Sequence, residues 1–427
     1  MFFDGFVQWV YSLYHSENIF FVFLIGLFVI EMIRITSKLV LLFVHKIKER
    51  KKVHENNFNN FPTTKISLLI AAYNEENNIK KTIESAIDTP YPNKEIIVID
   101  DGSTDNTYEI AKQYEDKKQI KLICNKNGGS KARALNLGYS YATGDIIVVL
   151  DADTEFTRQD ALYDMVRCFE NESNDTILAA SGNLEITLGD NEVKNMLTKL
   201  QTLEYIISME IGKRITTILN AILVIPGGFG AFKSNFLNNV GKYDVDTLGE
   251  DFDLTVKLHK LGKKIVFSEK STVKTSGPHT WKLLLKQRIR WSYAQIQVLL
   301  KHLDVLWSPK YRPVFRLAVF DMWIMDVFVN LAWITSIFVL VSIAITSQIL
   351  DIDVIPTSTM QFVILLFLIY FELETSLFLY SVRVSKRKDI IKLIYLVPLM
   401  VFFYRPLLRL IILKGHVYAL LGKKINW

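Results

Sequence analysis

The sequence predicts an α/β domain built on a mostly parallel sheet and joined to membrane helices. Three observations predict it. First, runs of Ile and Val almost free of polar residues recur three times, as KISLLIAAYNE, KEIIVIDDGSTD and GDIIVVLDADTE. Strands buried on both faces read this way, and helical crossovers between them make neighbours parallel. Second, four apolar stretches each reach the roughly 20 residues that a spanning helix needs. Third, half of the 427 residues are hydrophobic and 12% are aromatic. The mean hydropathy of +0.21 is high for a soluble chain of this length.

The first apolar stretch runs from Ile19 to Val44 and lacks a small-residue cleavage site, so it reads as a retained anchor. Glu31, Arg34 and Lys38 fall within it. Charges facing lipid are costly, which places these near its cytoplasmic end or against a helical neighbour. The other three stretches, about Met322 to Thr346, Gln361 to Val382 and Ile390 to Leu413, lie toward the C-terminal end. The basic segments HKIKERKKVH and RVSKRK follow the first and third stretches and should face the cytoplasm. The central domain then faces the cytoplasm too, and the loop SQILDIDVIPTSTM lies outside. Four crossings leave the C-terminus outside, yet the tail KGHVYALLGKKINW is basic. Pro398, Arg405, Pro406 and Arg409 interrupt the last stretch, so a re-entrant or interfacial course stays open for it.

The expected divisions are an anchor and basic linker at 1–60, an α/β domain at 61–280, amphipathic interface helices at 281–320 and a membrane region at 321–427. Lys and Arg exceed Asp and Glu by 50 − 44 = 6. That excess gathers near membrane ends rather than in a stripe, which argues against a nucleic-acid partner. Cys124 and Cys168 are isolated and form neither a metal pattern nor a disulfide framework, in keeping with a reducing compartment.

In open parallel sheets the ligand site lies at the carboxyl ends of the strands. Polar clusters sit there: Tyr73-Asn74-Glu75, Asp100-Asp101, and Asp151 with Asp153. Two acids two apart in an extended segment point the same way and can aim at one hard cation, Mg²⁺ or Mn²⁺. Asp also simply ends strands in turns. Asp100 and Asp101 can hydrogen-bond a base or ribose, while Ser103 or Thr104 is the expected cap of the next helix. Tyr73 suits stacking on a base or ordinary packing. NKNGGSKARALNLGYSYA joins a glycine loop to a helix from Ser130, where free N–H groups favour phosphate and Lys131 adds charge. VIPGGFGAFKS is either a tight turn or a loop where glycines admit a ligand and aromatics face a sugar. Glu250 and Asp251 open a helix, where acids suit the dipole, or one of them is a general base. In TWKLLLKQRIRWSYAQIQVLLKHLDVLW, apolar residues at helical spacing flanked by cations fit an interface helix. Gln287 and Trp291 share a face, and Arg290 can grip a diphosphate bidentately.

The ordered set AAYNE, DDGSTDNT, GGSKARALN, LDADT, GED and QRIRW resembles a processive family 2 glycosyltransferase of the polysaccharide-synthase type, over roughly Lys65 to Leu303. That group includes poly-N-acetylglucosamine, hyaluronan, chitin and cellulose synthases, and the resemblance is closest to the poly-N-acetylglucosamine type. It implies a GT-A-type, Rossmann-like domain. By the resemblance, Tyr73, Glu75 and Asp101, with Asp100 beside it, hold the uridine, and Lys131 meets the diphosphate. Asp151 binds nucleotide and Asp153 the metal. Gly228, Phe229 and Gly230 line the acceptor end. Asp251 is the base, with Glu250 adjacent. Gln287, Arg290 and Trp291 bind diphosphate and acceptor sugar. Gly249 departs from the Thr often found before Glu-Asp, which bears on the fine geometry of that loop.

The implied reaction is inverting transfer from a UDP-sugar, best UDP-N-acetylglucosamine, to a growing β-linked polysaccharide that is then extruded across the plasma membrane. The alternative is transfer of one sugar to a membrane lipid, as in ceramide or diacylglycerol glucosyltransferases. An accessory subunit or a second copy stays open as a partner.

Overall fold

The computed structural model of the chain describes residues 17–52, 63–126, 129–170, 176–186, 195–350 and 357–423. The linker at 53–60, Gly128, residues 351–356 of the loop after the second span and tail residues 424–427 lie outside the described residues.

After helix α1 (Glu17–Lys52) the three Ile/Val runs fold as β1 (Ile66–Ala72), β2 (Lys94–Asp100) and β4 (Ile146–Asp151). Helices α2 (Ile79–Asp88) and α3 (Thr107–Asp116), strand β3 (Lys121–Cys124) and helix α4 (Lys131–Tyr141) connect them. β5 (Thr154–Phe156), α5 (Ala161–Glu170), β6 (Ile177–Ile186), α6 (Met196–Ile207) and α7 (Arg214–Ile218) follow. Next come β7 (Phe229–Lys233), α8 (Ser234–Asn239), α9 (Glu250–Lys260), β8 (Lys264–Thr275) and α10 (Trp281–Lys301). One eight-stranded sheet results, in the order β3-β2-β1-β4-β7-β6-β8-β5. It is parallel from β3 to β4 and between β6 and β8. β7 enters antiparallel between β4 and β6, and β5 pairs antiparallel with β8.

The core explains the apolar runs. Ile66, Leu68, Leu69, Ile70, Ile97, Val98, Val148 and Val149 are buried among the covering helices. Each such side chain contributes about 1.5–3 kcal/mol when fully removed from water. β7 fits through a glycine: the Phe229 ring occupies the space that a Cβ on Gly182 would need.

Register places the acids. β1 lies between β2 and β4, with Ala72 opposite Asp100 and Ala71 opposite Asp151. Both carboxylates therefore reach the same strand edge. The expected cap of α3 is replaced. Asn106 holds the cap position without a side-chain bond. Ser103 Oγ instead accepts from Asn74 N at 3.0 Å, and Thr104 N donates to Asn74 Oδ1 at 2.8 Å. Tying two strand-end loops together satisfies the same polar groups that a cap would have used. Asn74 has φ 55°, a left-handed conformation that Asn tolerates better than most residues.

Among the described residues, four helices are long and apolar enough to cross a membrane: Phe20–Ile47, Pro313–Thr346, Met360–Ser385 and Lys388–Leu420. The second begins at Pro313, ahead of the expected Met322, because Pro suits the first helical position. The interface unit expected at 281–320 thus contracts to α10 and the short helix Asp304–Trp307. Charges within the apolar helices pair across them. Arg409 meets Glu31 at 3.0 Å, Arg34 meets Asp321 at 3.0 Å and Arg405 meets Glu374 at 2.5 Å. The last segment packs on α10 at Gly415, whose Cβ would lie 1.9 Å from Ser292 Oγ.

Candidate active site

Four loops at the carboxyl edge of the sheet carry the acids. The first turns after β1. Tyr73 stands there 49% exposed. Glu75 is held by its amide, which donates to Thr107 Oγ1 at 2.7 Å, and by Asn78, which donates to its Oε2 at 2.8 Å. Burial raises the Glu75 carboxyl above its ordinary value, with Asp151 and Asp105 adding to the rise. After β2, Asp100 and Asp101 are both buried. Asp100 accepts from the Ser103 amide at 3.4 Å, whereas Asp101 Oδ1 accepts from Asn125 at 2.7 Å.

β4 ends at Asp151, and a short turn leads to Asp153. The Ala152 carbonyl between them is fixed by Thr82 Oγ1 at 2.7 Å. Asp153 is pushed up to about 7, first by burial and then by Asp151 and Glu75. Lys131, at the start of α4 behind its Ser130 cap, forms an ion pair with Asp151 and donates to the Gly227 carbonyl at 3.2 Å.

The glycine loop meets these groups. A Cβ on Gly228 would lie 3.2 Å from Asp151 Oδ2, and one on Gly227 would lie 2.9 Å from Lys131 Nζ. The glycines let the loop backbone come close to these charged side chains. Gly227 N donates to Asp251 Oδ2 at 3.1 Å. Asp251 opens α9, where its Oδ1 also accepts from the Phe252 amide at 2.7 Å. Gly249, the departure noted in the sequence, sits against α10. A Cβ there would lie 3.2 Å from Ala294 Cβ. Glycine at this position lets the acidic start of α9 approach that helix.

α10 brings the last group. Arg290 lies close enough to Glu250 to act on its ionisation. The Gln287 side-chain carbonyl is buried without a hydrogen-bond partner, an acceptor that a ligand donor would satisfy. Trp291 is 39% exposed, and the Arg288 guanidinium lies 4.5 Å from its ring centre. Tyr205 on α6 links the two halves. Burial pushes its phenol up to about 12, and charges act on it from Arg288 and Glu204 as well as from Asp153 and Asp151.

Phe229 does not join the site. It is 0% exposed, with its ring edge-on to Phe156 at 5.5 Å between centres. Gly230 likewise serves packing, since a Cβ would lie 2.5 Å from Ile225. Alternation along β7 turns the Phe229 side chain into the core, so Gly227 and Gly228 form the site edge. Other side chains that matter here carried no pattern in the sequence. Asp253, fully buried on α9, bonds His302 at 2.9 Å and pairs with Lys301 at 3.0 Å and Lys257 at 3.2 Å. These contacts pin the first turn of α9 to the far end of α10. Glu204 pairs with Arg288 at 2.8 Å and accepts from Tyr404 at 2.9 Å. Both partners lie far from it in sequence.

The donor set suits a divalent cation completed by substrate oxygens. Two hard carboxylates, Asp151 and Asp153, sit beside Glu75, and crowding already favours a proton on Asp153. Added positive charge would relieve that crowding. Among the described residues no three His, Cys, Asp or Glu side chains form a ready-made metal cage.

Glu250 provides a stability test. Its carboxyl is pushed up to about 7, first by burial and then by Asp251, with Lys131 and Arg290 opposing. A raised carboxyl binds its proton more tightly folded than unfolded, so this group's contribution is lost as pH rises from about 4.5 to about 7. Melting temperature of the ligand-free protein in detergent should fall across that window. Glu250→Gln should flatten the fall; an unchanged slope would show that Glu250 is not its source.

Residues 67–226 match Glycosyl transferase family 2. The chain is 33% identical over 290 residues to a poly-beta-1,6-N-acetyl-D-glucosamine synthase of Staphylococcus epidermidis, covering 67% of this chain and 66% of that protein. It is also 33% identical over 252 residues to a protein of the same name in Staphylococcus aureus, covering 59% and 60%. The match thus spans just under two thirds of the length of these relatives. A mannosyltransferase from Pyrobaculum calidifontis, solved with GDP-Man and Mn²⁺, superposes over 92% of this chain and 99% of that one. Its TM-score is 0.60 at 16% identity, which speaks for the fold alone. A mostly parallel sheet with its acids gathered at the carboxyl edge, joined to a sequence match across that same sheet, leads to one assignment: the chain belongs to glycosyl transferase family 2.

Proposed function

We propose that the chain transfers sugar units from a UDP-sugar, UDP-N-acetylglucosamine foremost, to a growing β-linked polysaccharide with inversion at the anomeric carbon. It does so as a multi-pass protein of the plasma membrane, with the α/β domain on the cytoplasmic face, and the product leaves through the membrane region. The observation that carries this is the meeting of Asp151, Lys131 and Asp251 at the Gly227–Gly228 backbone, with Asp153 in the field of Asp151 and Arg290 in that of Glu250. The printed name of the Staphylococcus relatives supports the choice of sugar.

In this reading Tyr73, Glu75, Asp100 and Asp101 hold the uridine, and Lys131 moves from Asp151 to the diphosphate. Asp153 and Asp151 would hold Mg²⁺ or Mn²⁺, which supplies positive charge to the departing diphosphate. Arg290 and Gln287 meet the same diphosphate. Asp251 takes the proton of the acceptor hydroxyl as that oxygen attacks the anomeric carbon from the side opposite the leaving UDP. Trp291 offers its face to the acceptor sugar.

Labelled UDP-GlcNAc, UDP-Glc and UDP-GlcA offered to the protein in lipid nanodiscs test the proposal. Polymer should form from UDP-GlcNAc, need Mg²⁺ or Mn²⁺ and stop on chelation. A single labelled glycolipid would replace the polymer reading with the lipid one, and no transfer from any donor would end both.

A further inference from the structure

Lys213 has no part in the chemistry above, yet it lies beside it. It ends a π-helical turn, Ser208–Lys213, between α6 and α7. Such turns cluster at functional sites. The neighbouring Arg214 turns toward the sheet, pairing with Glu269 and, at 2.7 Å, with Glu210. Asn183 of β6 bonds the same Glu210 at 3.0 Å. Lys213 faces the other way and donates to the Val224 carbonyl, at the head of the glycine loop. Among the described residues its ammonium has no ion-pair partner, and Asp251 is the charged group whose field reaches it.

Besides the Lys131 bond to the Gly227 carbonyl, three contacts hold that loop. Lys213 holds Val224. Ile225 N donates to Thr255 Oγ1 at 3.0 Å, and the same hydroxyl donates to the Asp251 carbonyl at 2.6 Å. Gly227 N donates to the Asp251 carboxylate at 3.1 Å. A lysine from the π-helical turn and a carboxylate from α9 thus grip opposite ends of one short backbone stretch. We propose that Lys213 is a positioning residue for sugar transfer, holding the Val224–Gly227 backbone in the shape that presents the Gly227 N–H to Asp251. The proposal rests on the glycosyltransferase reading for its kinetic consequence, but the loop contact stands apart from it. Burial pushes the Lys213 amine down to about 8, so its proton is lost in mildly alkaline solution, while an arginine would keep its charge.

Two variants and two measurements test this. Lys213→Met should lower kcat for UDP release by about tenfold to a hundredfold, the scale of a misplaced reacting group, with the UDP-sugar KM little changed. Lys213→Arg should restore most of kcat at neutral pH and lessen the fall in activity expected of the parent above about pH 8, where the neutral amine donates more weakly to Val224. Hydrogen exchange at the Ile225, Gly227 and Gly228 amides should quicken about tenfold in Lys213→Met, with the rest of the domain unchanged. A Met variant with parental kcat, or an Arg variant that keeps the alkaline fall, would overturn the proposal. So would unaltered exchange in the loop. If the parent itself releases no UDP from any donor, the glycosyltransferase reading fails, and the exchange measurement still decides whether Lys213 holds the loop.

Discussion

Asp251→Asn is expected to lower kcat by about three orders of magnitude, within the range for loss of a general base, while UDP-sugar affinity measured by calorimetry stays within about threefold. The amide is isosteric, so one side-chain oxygen can still accept from the Gly227 or Phe252 amide that now bonds the carboxylate. What disappears is the capacity to take a proton from the acceptor. Folding should survive, because removing charge beside Glu250 relieves repulsion rather than creating it. Glu250→Gln serves as the comparison. If Asp251→Asn turns over like the parent and Glu250→Gln does not, the base is Glu250 and the roles assigned to the pair exchange.

Arg290→Ala and Arg288→Ala should fail in opposite ways although the two residues lie two positions apart. Arg290 acts on the Glu250 carboxyl, and in the proposed reaction its loss would remove charge stabilisation from the leaving diphosphate. Such a loss costs about a hundredfold to a thousandfold in kcat, with little change in melting temperature. Arg288 is buried, paired with Glu204 at 2.8 Å and stacked on Trp291. Its removal leaves Glu204 with only the Tyr404 hydroxyl for support. Leaving that partly exposed carboxylate without its guanidinium costs about 1–3 kcal/mol, and the melting curve in detergent should show it. Parental kinetics in Arg290→Ala would remove that residue from the site. A parental melting temperature in Arg288→Ala would mean the Glu204 contact carries no stability.

Asp151 and Asp153 were legible because a strand of Ile and Val must end somewhere, and the acids sit where it ends. Glu250 and Asp251 were legible only through the company of the other motifs. The loop before Phe229 read equally as a tight turn or as a place where aromatics face a sugar, and its spacing could not choose. The Phe229 ring fills the gap left by Gly182, some 47 positions earlier by their numbers, 229 − 182. Ser103 and Thr104 misled: good cap residues were used to tie Asn74 instead.

Local pattern alone determined the parallel half of the sheet, the apolar helices and the order of acids along the chain, because periodicity and turn chemistry act over a few residues. Which acids share a field with Lys131, which arginine of QRIRW is buried, and that Lys213 reaches Val224 were decided by tertiary structure. Those outcomes depend on contacts between segments far apart in the chain, and no spacing within one segment encodes the distance between two carboxylates held by different loops.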